Sequence, residues 1–309
     1  QRVTKPLRLM GAEIYGRDSA NLAPLAICGG DLAPISYQTP VASAQVKSAI
    51  LLAGLFADGW TEVTEPAKSR DHTELMLQGF GVPVETEGLS VRVKGRSPLS
   101  ACEIAVPGDI SSAAFFLVAG CIVPNSKLVL KNVGLNPSRT GIIDALQAMG
   151  GKITITNHRT SAGEAVGDIT VESSELTGIS IGGEMIPRLI DEIPVLAVAA
   201  ACAKGVTKIR DAAELKVKES NRIAAVVTEF SKLGMEIVEL PDGMRITGGI
   251  ELLGAVCDSH GDHRLALSLA VAGLVANGDT TILGPECTAV SFPDFAAELV
   301  ALGGRVTWE

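Results

Sequence analysis

Apolar positions fall in two patterns along the chain. One is the stripe of a surface helix, as in Ile223, Val227 and Phe230 at i, i+4 and i+7. The other is a run of small apolar residues with no polar face, entered through a polar residue and left through glycine. Ser43 opens such a run over Gln45–Ala57 with Gly59 beyond it, and Asp109 with Ser111 opens Ala113–Ala119 before Gly120. Asp191 with Pro194 opens Val195–Ala203 before Gly205, and Asp262 opens Leu265–Ala276 before Gly278. Side-chain oxygens at these entries suit helix N-caps, and a helix apolar nearly all round belongs inside a domain. Where the N-terminus of such a helix reaches a cleft, its unpaired N–H groups and partial positive charge suit an anion.

A second regularity runs across these helices: an amphipathic helix, a glycine in the place that ends a helix, then a short apolar strand. The glycines are Gly11, Gly81, Gly150, Gly234 and Gly303, lying 70, 69, 84 and 69 residues apart. That period exceeds the roughly 20–50 residues of a solenoid repeat and predicts a small α/β unit used several times. The first copy is only a tail, and Gln1-Arg2-Val3-Thr4-Lys5-Pro6 reads as a start in mid-sequence, so part of the repeat array is expected to precede Gln1. Ala105-Val106-Pro107-Gly108-Asp109 reads as a crossover between domains, giving 1–107 and 108–309.

Composition narrows the function classes. The 309 residues are 47 % apolar, ample for real cores, yet the longest charge-free apolar runs are shorter than the about 18–20 residues of a membrane span. A net charge of −9, few aromatics and no block of Lys or Arg argue against a nucleic-acid surface. The six cysteines form no CxxC pair and predict buried, reduced thiols in a cytoplasmic protein. No Walker loop, GxGxxG, HExxH or GxSxG occurs.

Candidate chemistry lies in a few polar clusters. Lys218 and Arg222 are four apart in Glu214–Arg222, which predicts a like-charge pair on one helical edge, unfavourable unless an anion sits between them, with Glu219 beside it. Gly261-Asp262-His263-Arg264 sets a guanidinium at the head of a buried helix, a fork suited to carboxylate or phosphate. Asp191 and Glu192 precede another: one is able to cap while the other faces a cleft with its pKa raised by burial. Ser43-Ala44-Gln45-Val46-Lys47 and Ser69-Arg70-Asp71-His72 suit a phosphorylated polyol. Each cluster alone also fits a solvated or capping role.

In order, Ser43–Ala49, Pro107–Ala113, Val217–Arg222, Gly261–Arg264 and Ser291-Phe292-Pro293-Asp294 make the chain resemble the 5-enolpyruvylshikimate-3-phosphate synthase family over its whole length. The resemblance implies an α/β enolpyruvyl transferase fold, with two domains of repeated βαβαββ units and buried parallel helices closing over a cleft. The activity it implies is transfer of the enolpyruvyl group of phosphoenolpyruvate to the 5-hydroxyl of shikimate 3-phosphate, with release of phosphate, in the shikimate pathway. Domain 1–107 would bind shikimate 3-phosphate, and 108–309 would carry the acid/base and phosphoenolpyruvate-binding residues.

By motif position, Ser43, Ala44, Gln45, Ser69 and Arg70 would hold shikimate 3-phosphate, with Asp191 and Lys218. Arg222 and Arg264 would clamp phosphoenolpyruvate, with Gln45 shared. Asp191 would be the base at the hydroxyl, Glu219 the acid/base at C3, and Lys218 a third catalytic group. The scheme calls for no metal and no organic cofactor, and implies glyphosate as an inhibitor and a monomer when complete. The family's N-terminal Lys-Ser…Arg motif and Asn-Ala-Gly-Thr loop have no counterpart here, so the chain alone is expected to be nearly inactive and to need an N-terminal complement. Val290 stands where some members carry a lysine, and Ala44, His72 and Glu214 also depart from the common pattern. Two rivals share the fold: a transferase acting on UDP-N-acetylglucosamine, and a non-catalytic relative. Lys-Glu-Ser-Asn-Arg with Gly-Asp-His-Arg favours the shikimate enzyme over the first, and the paired carboxylates Asp191 and Glu219 count against the second.

Overall fold

In a computed structural model describing residues 1–307, all five repeat glycines take left-handed backbone angles, with φ between +81° and +103°. A side chain at such a φ is strained, which is why the position is glycine each time. The chain divides into two units, one of Gln1–Val106 with Thr160–Glu164 and the other of Pro107–Arg159 with Ala165–Glu309.

The first unit begins with α1 (Thr4–Leu9), β1 (Glu13–Gly16), the single turn α2 (Arg17–Ala20) and β2 (Leu22–Cys28), which pairs antiparallel with β1. There follow β3 (Ser36–Gln38), α3 (Ala44–Gly54), β4 (Trp60–Thr64), α4 (His72–Gly79), β5 (Val84–Glu87) and β6 (Ser90–Lys94). Their sheet has the order β3-β4-β6-β5, with β3 and β4 parallel and β6 antiparallel to both neighbours. That is one βαβαββ unit. Val46, Ile50, Leu51, Val63, Leu77, Val91 and Val93 form its core.

The second unit holds α5 (Ile110–Ile122), β7 (Lys127–Gly134), α6 (Gly141–Ala148) and, apart from their ends within Thr160–Glu164, β8 (Lys152–Ser161) and β9 (Glu164–Glu172), whose sheet runs β7-β9-β8. Gly108 bridges parallel to Val133 where the other copies have their first strand. Next come β10 (Ser180–Ile181), the turn α7 (Ile186–Leu189), α8 (Ile193–Cys202), β11 (Val206–Ile209), α9 (Arg222–Lys232), β12 (Glu236–Leu240) and β13 (Gly243–Thr247). The order β10-β11-β13-β12 reproduces that of β3–β6. A last partial copy has β14 (Val256–Asp258), α10 (His263–Gly273), β15 (Thr281–Leu283) and α11 (Phe295–Ala301), with β14 and β15 parallel. The periodic reading and the mixed α/β architecture therefore hold.

Helices α5, α8 and α10 pack on one another. Along α8 every residue from Ile193 to Ala201 is buried, and α5 is buried from Ile110 to Cys121 apart from Ser112. Their ends differ from the sequence reading. α5 continues past Gly120 because that glycine lets the helix approach the sheet: a Cβ there would lie 2.5 Å from Val171 Cγ1. α3, α8 and α10 end earlier than the apolar runs suggest, and α3 leaves Leu52 exposed, so it is only half-buried. The cysteine reading needs correction. All six are unpaired, but only Cys121 and Cys257 are buried, while Cys28 and Cys102 are exposed. Burial pushes the Cys121 thiol up to about 11.

Candidate active site

The second unit gathers its charged residues around the turn before α8. Asp191 and Glu192 lie in a 3₁₀ turn, Ile190–Glu192, and neither side chain caps the helix, contrary to the expectation that one of them would. Pro194 in the first turn of α8 lacks the N–H that a cap would serve. Both carboxylates are thereby released for other partners. Glu192 turns inward, where it accepts a hydrogen bond from Ser111 Oγ on α5. Burial, reinforced by Asp191, pushes its pKa up against the opposing pull of Arg264, Ser111 and Arg139. Arg139 in turn donates to Ser111 Oγ at 2.6 Å and pairs with Asp109 at 2.9 Å.

Asp191 is the hub. Arg222 Nη1 lies 3.6 Å and Lys218 Nζ 3.8 Å from its Oδ1, and Arg264 Nη2 lies 3.9 Å from its Oδ2. Arg264 Nη1 also donates to the Asp191 backbone carbonyl at 3.2 Å and lies 3.7 Å from Glu192 Oε1. Three cations so face one carboxylate, two from the stretch that leads into α9 and one from the head of α10. The separations exceed those of tight charge-assisted hydrogen bonds, leaving donor capacity for an anion.

The predicted helical edge joining Lys218 to Arg222 is not formed. Lys218 follows a 3₁₀ turn, Ala213–Val217, with extended backbone (φ −79°, ψ −153°), and α9 begins only at Arg222. Asn221 ends the irregular stretch by accepting the Ala224 N–H on Oδ1 at 3.3 Å. The two cations therefore meet at Asp191 rather than along a helix, and Lys218 also pairs with Glu214 at 2.9 Å.

Arg222 is 1 % exposed and gives Nε to Asp262 Oδ2 at 2.7 Å and Nη2 to Asp262 Oδ1 at 3.2 Å. Nη2 also reaches Glu219 Oε2 at 2.5 Å, while Nη1 is buried with no hydrogen-bond partner among the described residues. Asp262 caps α10 through the Arg264 N–H at 3.0 Å and accepts from Ser220 Oγ at 3.1 Å. Burial alone would raise the Asp262 pKa, but the Arg222 hydrogen bond and charge outweigh it, so the net shift is downward. Capping by Asp262 and an inward-facing Arg264 thus coexist. Burial and the neighbouring Arg264 lower the pKa of His263.

In the first unit Ser43 caps α3, accepting the Val46 N–H at 3.5 Å, and Ala44 and Gln45 occupy its first turn with Gln45 exposed. Ser69 and the half-buried Arg70 lie between β4 and α4. Glu65 accepts from the Ser43 N–H at 3.0 Å, from Ser69 Oγ at 2.8 Å and from Lys47 Nζ at 2.9 Å. Lys47 also reaches Glu74 at 2.7 Å. His72 Nδ1 lies 2.5 Å from Glu164 Oε1.

The sequence assigns no role beyond capping to Glu65, Glu74, Ser111, Arg139 or Asp262, whereas Lys47 stands in the cluster suited to a phosphorylated polyol and the burial-raised carboxylate expected at Asp191 or Glu192 is found at Glu192. Lys47 carried a signal, since it sits at i, i+3 and i+4 with Ile50 and Leu51 on the apolar face of α3, where a charge implies a buried partner. Nothing in the spacing of Glu65 points to Ser43. Among the described residues no group of three or more His, Cys, Asp or Glu side chains is placed to hold a metal ion, and no helix is long and apolar enough to cross a membrane.

Comparison with known proteins agrees with this architecture. A family model described as EPSP synthase (3-phosphoshikimate 1-carboxyvinyltransferase) matches residues 1–299. The chain is 57 % identical over 303 residues to a 3-phosphoshikimate 1-carboxyvinyltransferase of Synechococcus sp., covering 97 % of this chain and 68 % of that protein. It is 59 % identical, also over 303 residues, to the protein of that name from Geobacillus kaustophilus, covering 97 % and 71 %. Among solved structures it is similar to an EPSP synthase from Acinetobacter baumannii, with a TM-score of 0.92 at 45 % identity, covering 98 % of this chain and 70 % of that one. The enolpyruvyl transferase NikO of Streptomyces tendae shares the fold, with a TM-score of 0.80 at 19 % identity over 98 % of this chain and 71 % of that one.

Proposed function

The chain belongs to the EPSP synthase family, and from that membership we propose how its residues divide the work of enolpyruvyl transfer. The reaction moves the enolpyruvyl group of phosphoenolpyruvate onto the 5-hydroxyl of shikimate 3-phosphate and releases phosphate.

Asp191 takes the proton of the 5-hydroxyl as that oxygen bonds to C2 of phosphoenolpyruvate, and Glu219 gives a proton to C3. Glu219 then removes a proton from C3 as the C2–O bond to phosphate breaks and phosphate leaves. Lys218, Arg222 and Arg264 balance the charge of phosphoenolpyruvate and of the departing phosphate. Ser43, Ala44, Gln45, Ser69 and Arg70 hold shikimate 3-phosphate, so that 1–107 is the sugar-phosphate-binding domain and 108–309 carries the acid/base and phosphoenolpyruvate-binding residues. Inhibition by glyphosate, a monomeric state and a cytoplasmic location belong to the same proposal.

The observation that carries the reading is the convergence of three cations within 4 Å of Asp191, with Arg222 Nη1 still without a hydrogen-bond partner among the described residues. Three cations around one carboxylate leave positive charge to balance an anion, and a buried donor without a hydrogen-bond partner gains most from an incoming one. Titration of the chain with shikimate 3-phosphate, with phosphoenolpyruvate and with UDP-N-acetylglucosamine as control tests it by thermal shift. Selective stabilisation by shikimate 3-phosphate that is lost in Gln45→Ala supports the assignment. Stabilisation by UDP-N-acetylglucosamine instead defeats it.

A further inference from the structure

We propose that Glu65 is a positioning residue for shikimate 3-phosphate, a buried carboxylate that sets the distance between Ser43 and Ser69. The inference rests on the assignment of those two serines to the substrate. Glu65 directly follows β4, and its own N–H is tied to the Leu89 carbonyl at 3.0 Å, so its backbone is fixed by the sheet. One carboxylate oxygen receives the Ser43 N–H at the entry of α3, and the other receives Ser69 Oγ from the segment leading to α4. Two segments that the chain separates by 26 residues are thereby held to a single rigid group. Hydrogen bonds to an ionised acceptor are the strong kind, and a site held by fixed groups loses less entropy on binding.

The side chains of Lys47 and Glu74 lie beside this carboxylate without touching either serine. Lys47, one turn into α3, donates to Glu65 at 2.9 Å and to Glu74 on α4 at 2.7 Å, and all three side chains are buried. The cluster holds two carboxylates for one ammonium, so its charge has the wrong sign to attract a phosphate. Its contribution is geometric, and the sign of a charge-removing substitution separates the two accounts. Were electrostatics dominant, Glu65→Gln would tighten the binding of a dianion. On the positioning account it weakens binding, because an amide puts a donor where Ser69, Ser43 or Lys47 needs an acceptor. Glu74→Gln removes the same charge from the same cluster without touching either serine.

The test is calorimetric titration of shikimate 3-phosphate and, separately, phosphoenolpyruvate into the wild type, Glu65→Gln, Glu65→Asp, Glu74→Gln and Ser69→Ala, with melting temperatures recorded. Loss of one charge-assisted hydrogen bond predicts about tenfold weaker shikimate 3-phosphate binding in Glu65→Gln. Phosphoenolpyruvate binding stays unchanged, and Glu74→Gln binds shikimate 3-phosphate as the wild type does or more tightly. Adding Ser69→Ala to Glu65→Gln costs less than the sum of the two alone, since one residue acts through the other. If Glu65→Gln does not fold, Glu65→Asp, which keeps the charge and loses the reach, is read in the same way. A folded Glu65 variant with lowered melting temperature and wild-type affinity overturns the inference. Failure of the wild type to bind shikimate 3-phosphate overturns the substrate assignment instead.

Discussion

Arg222 and Asp262 form a two-pronged ion pair out of contact with solvent, at 2.7 and 3.2 Å with side-chain exposures of 1 % and 0 %. The pair joins the start of α9 to the start of α10 and orients the guanidinium so that Nη1 faces Asp191 at 3.6 Å. Removing one partner of such a pair strands the other charge in the interior. Asp262→Ala is expected to lose about 3–5 kcal/mol of stability, measured by urea unfolding. The pH dependence follows from the lowered pKa of Asp262. Its contribution is complete above the unfolded value of 3.8 and is lost as pH falls below it toward the folded value. Acid titration of the wild type should show this loss and the variant should not; equal acid slopes would refute the role.

Asp191 stands among Lys218, Arg222 and Arg264, so removing its charge acts in opposite directions on binding and on chemistry. Asp191→Asn leaves three cations with one fewer carboxylate to satisfy, and phosphoenolpyruvate should bind more tightly. Phosphate release in the presence of both substrates should fall roughly 10²–10⁴-fold, the usual contribution of a general acid or base. Glu219→Gln should show a similar fall without the gain in affinity, because Glu219 faces Arg222 alone among these cations. Tighter binding together with undiminished turnover in Asp191→Asn would remove it from the base role.

What was legible in the sequence were features repeated or confined to a few neighbouring residues. The five glycines announced the period, and the oxygens of Ser43, Asp109 and Asp262 announced helix starts that the structure forms. The failures came where tertiary partners outweigh local pattern. The spacing of Lys218 and Arg222 is helical on paper, but Ser220 bonds to Asp262 and Asn221 caps α9, so the helix starts at Arg222, four residues too late to hold Lys218. Which of Asp191 and Glu192 would cap stayed open in the local pattern, and neither does, since the partner of Glu192, Ser111, lies 81 residues away.

Glu192 is the buried carboxylate whose pKa moves upward, chiefly through burial, and this reverses the acid dependence seen at Asp262. A group that holds its proton more tightly when folded adds stability that is complete below the unfolded value of 4.5 and is lost as pH rises through the folded value. Glu192→Gln keeps an oxygen to accept the Ser111 hydroxyl and carries no charge to bury. Its melting temperature should therefore rise relative to the wild type as pH increases above 4.5. A difference that stays constant over this range would show that Glu192 does not titrate there.

Gly120 sets two effects of known size against each other. Alanine in a helix interior is favoured over glycine by about 1 kcal/mol, so propensity alone predicts that Gly120→Ala stabilises α5. The added Cβ, however, would lie 2.5 Å from Cγ1 and 3.1 Å from Cγ2 of Val171, a β-branched side chain on β9 that is fully buried and has little freedom to turn away. Overpacking of that kind costs typically about 1–3 kcal/mol, which cancels or exceeds the propensity gain. Gly120→Ala should therefore be no more stable than the wild type. Val171→Ala alone should lose stability through the cavity it leaves, and the double variant should recover part of that loss, because the new methyl fills space vacated by the valine. Chemical denaturation of the four proteins gives the coupling directly. An additive result would mean that α5 and β9 move apart to admit the methyl, and that the glycine does not govern their approach.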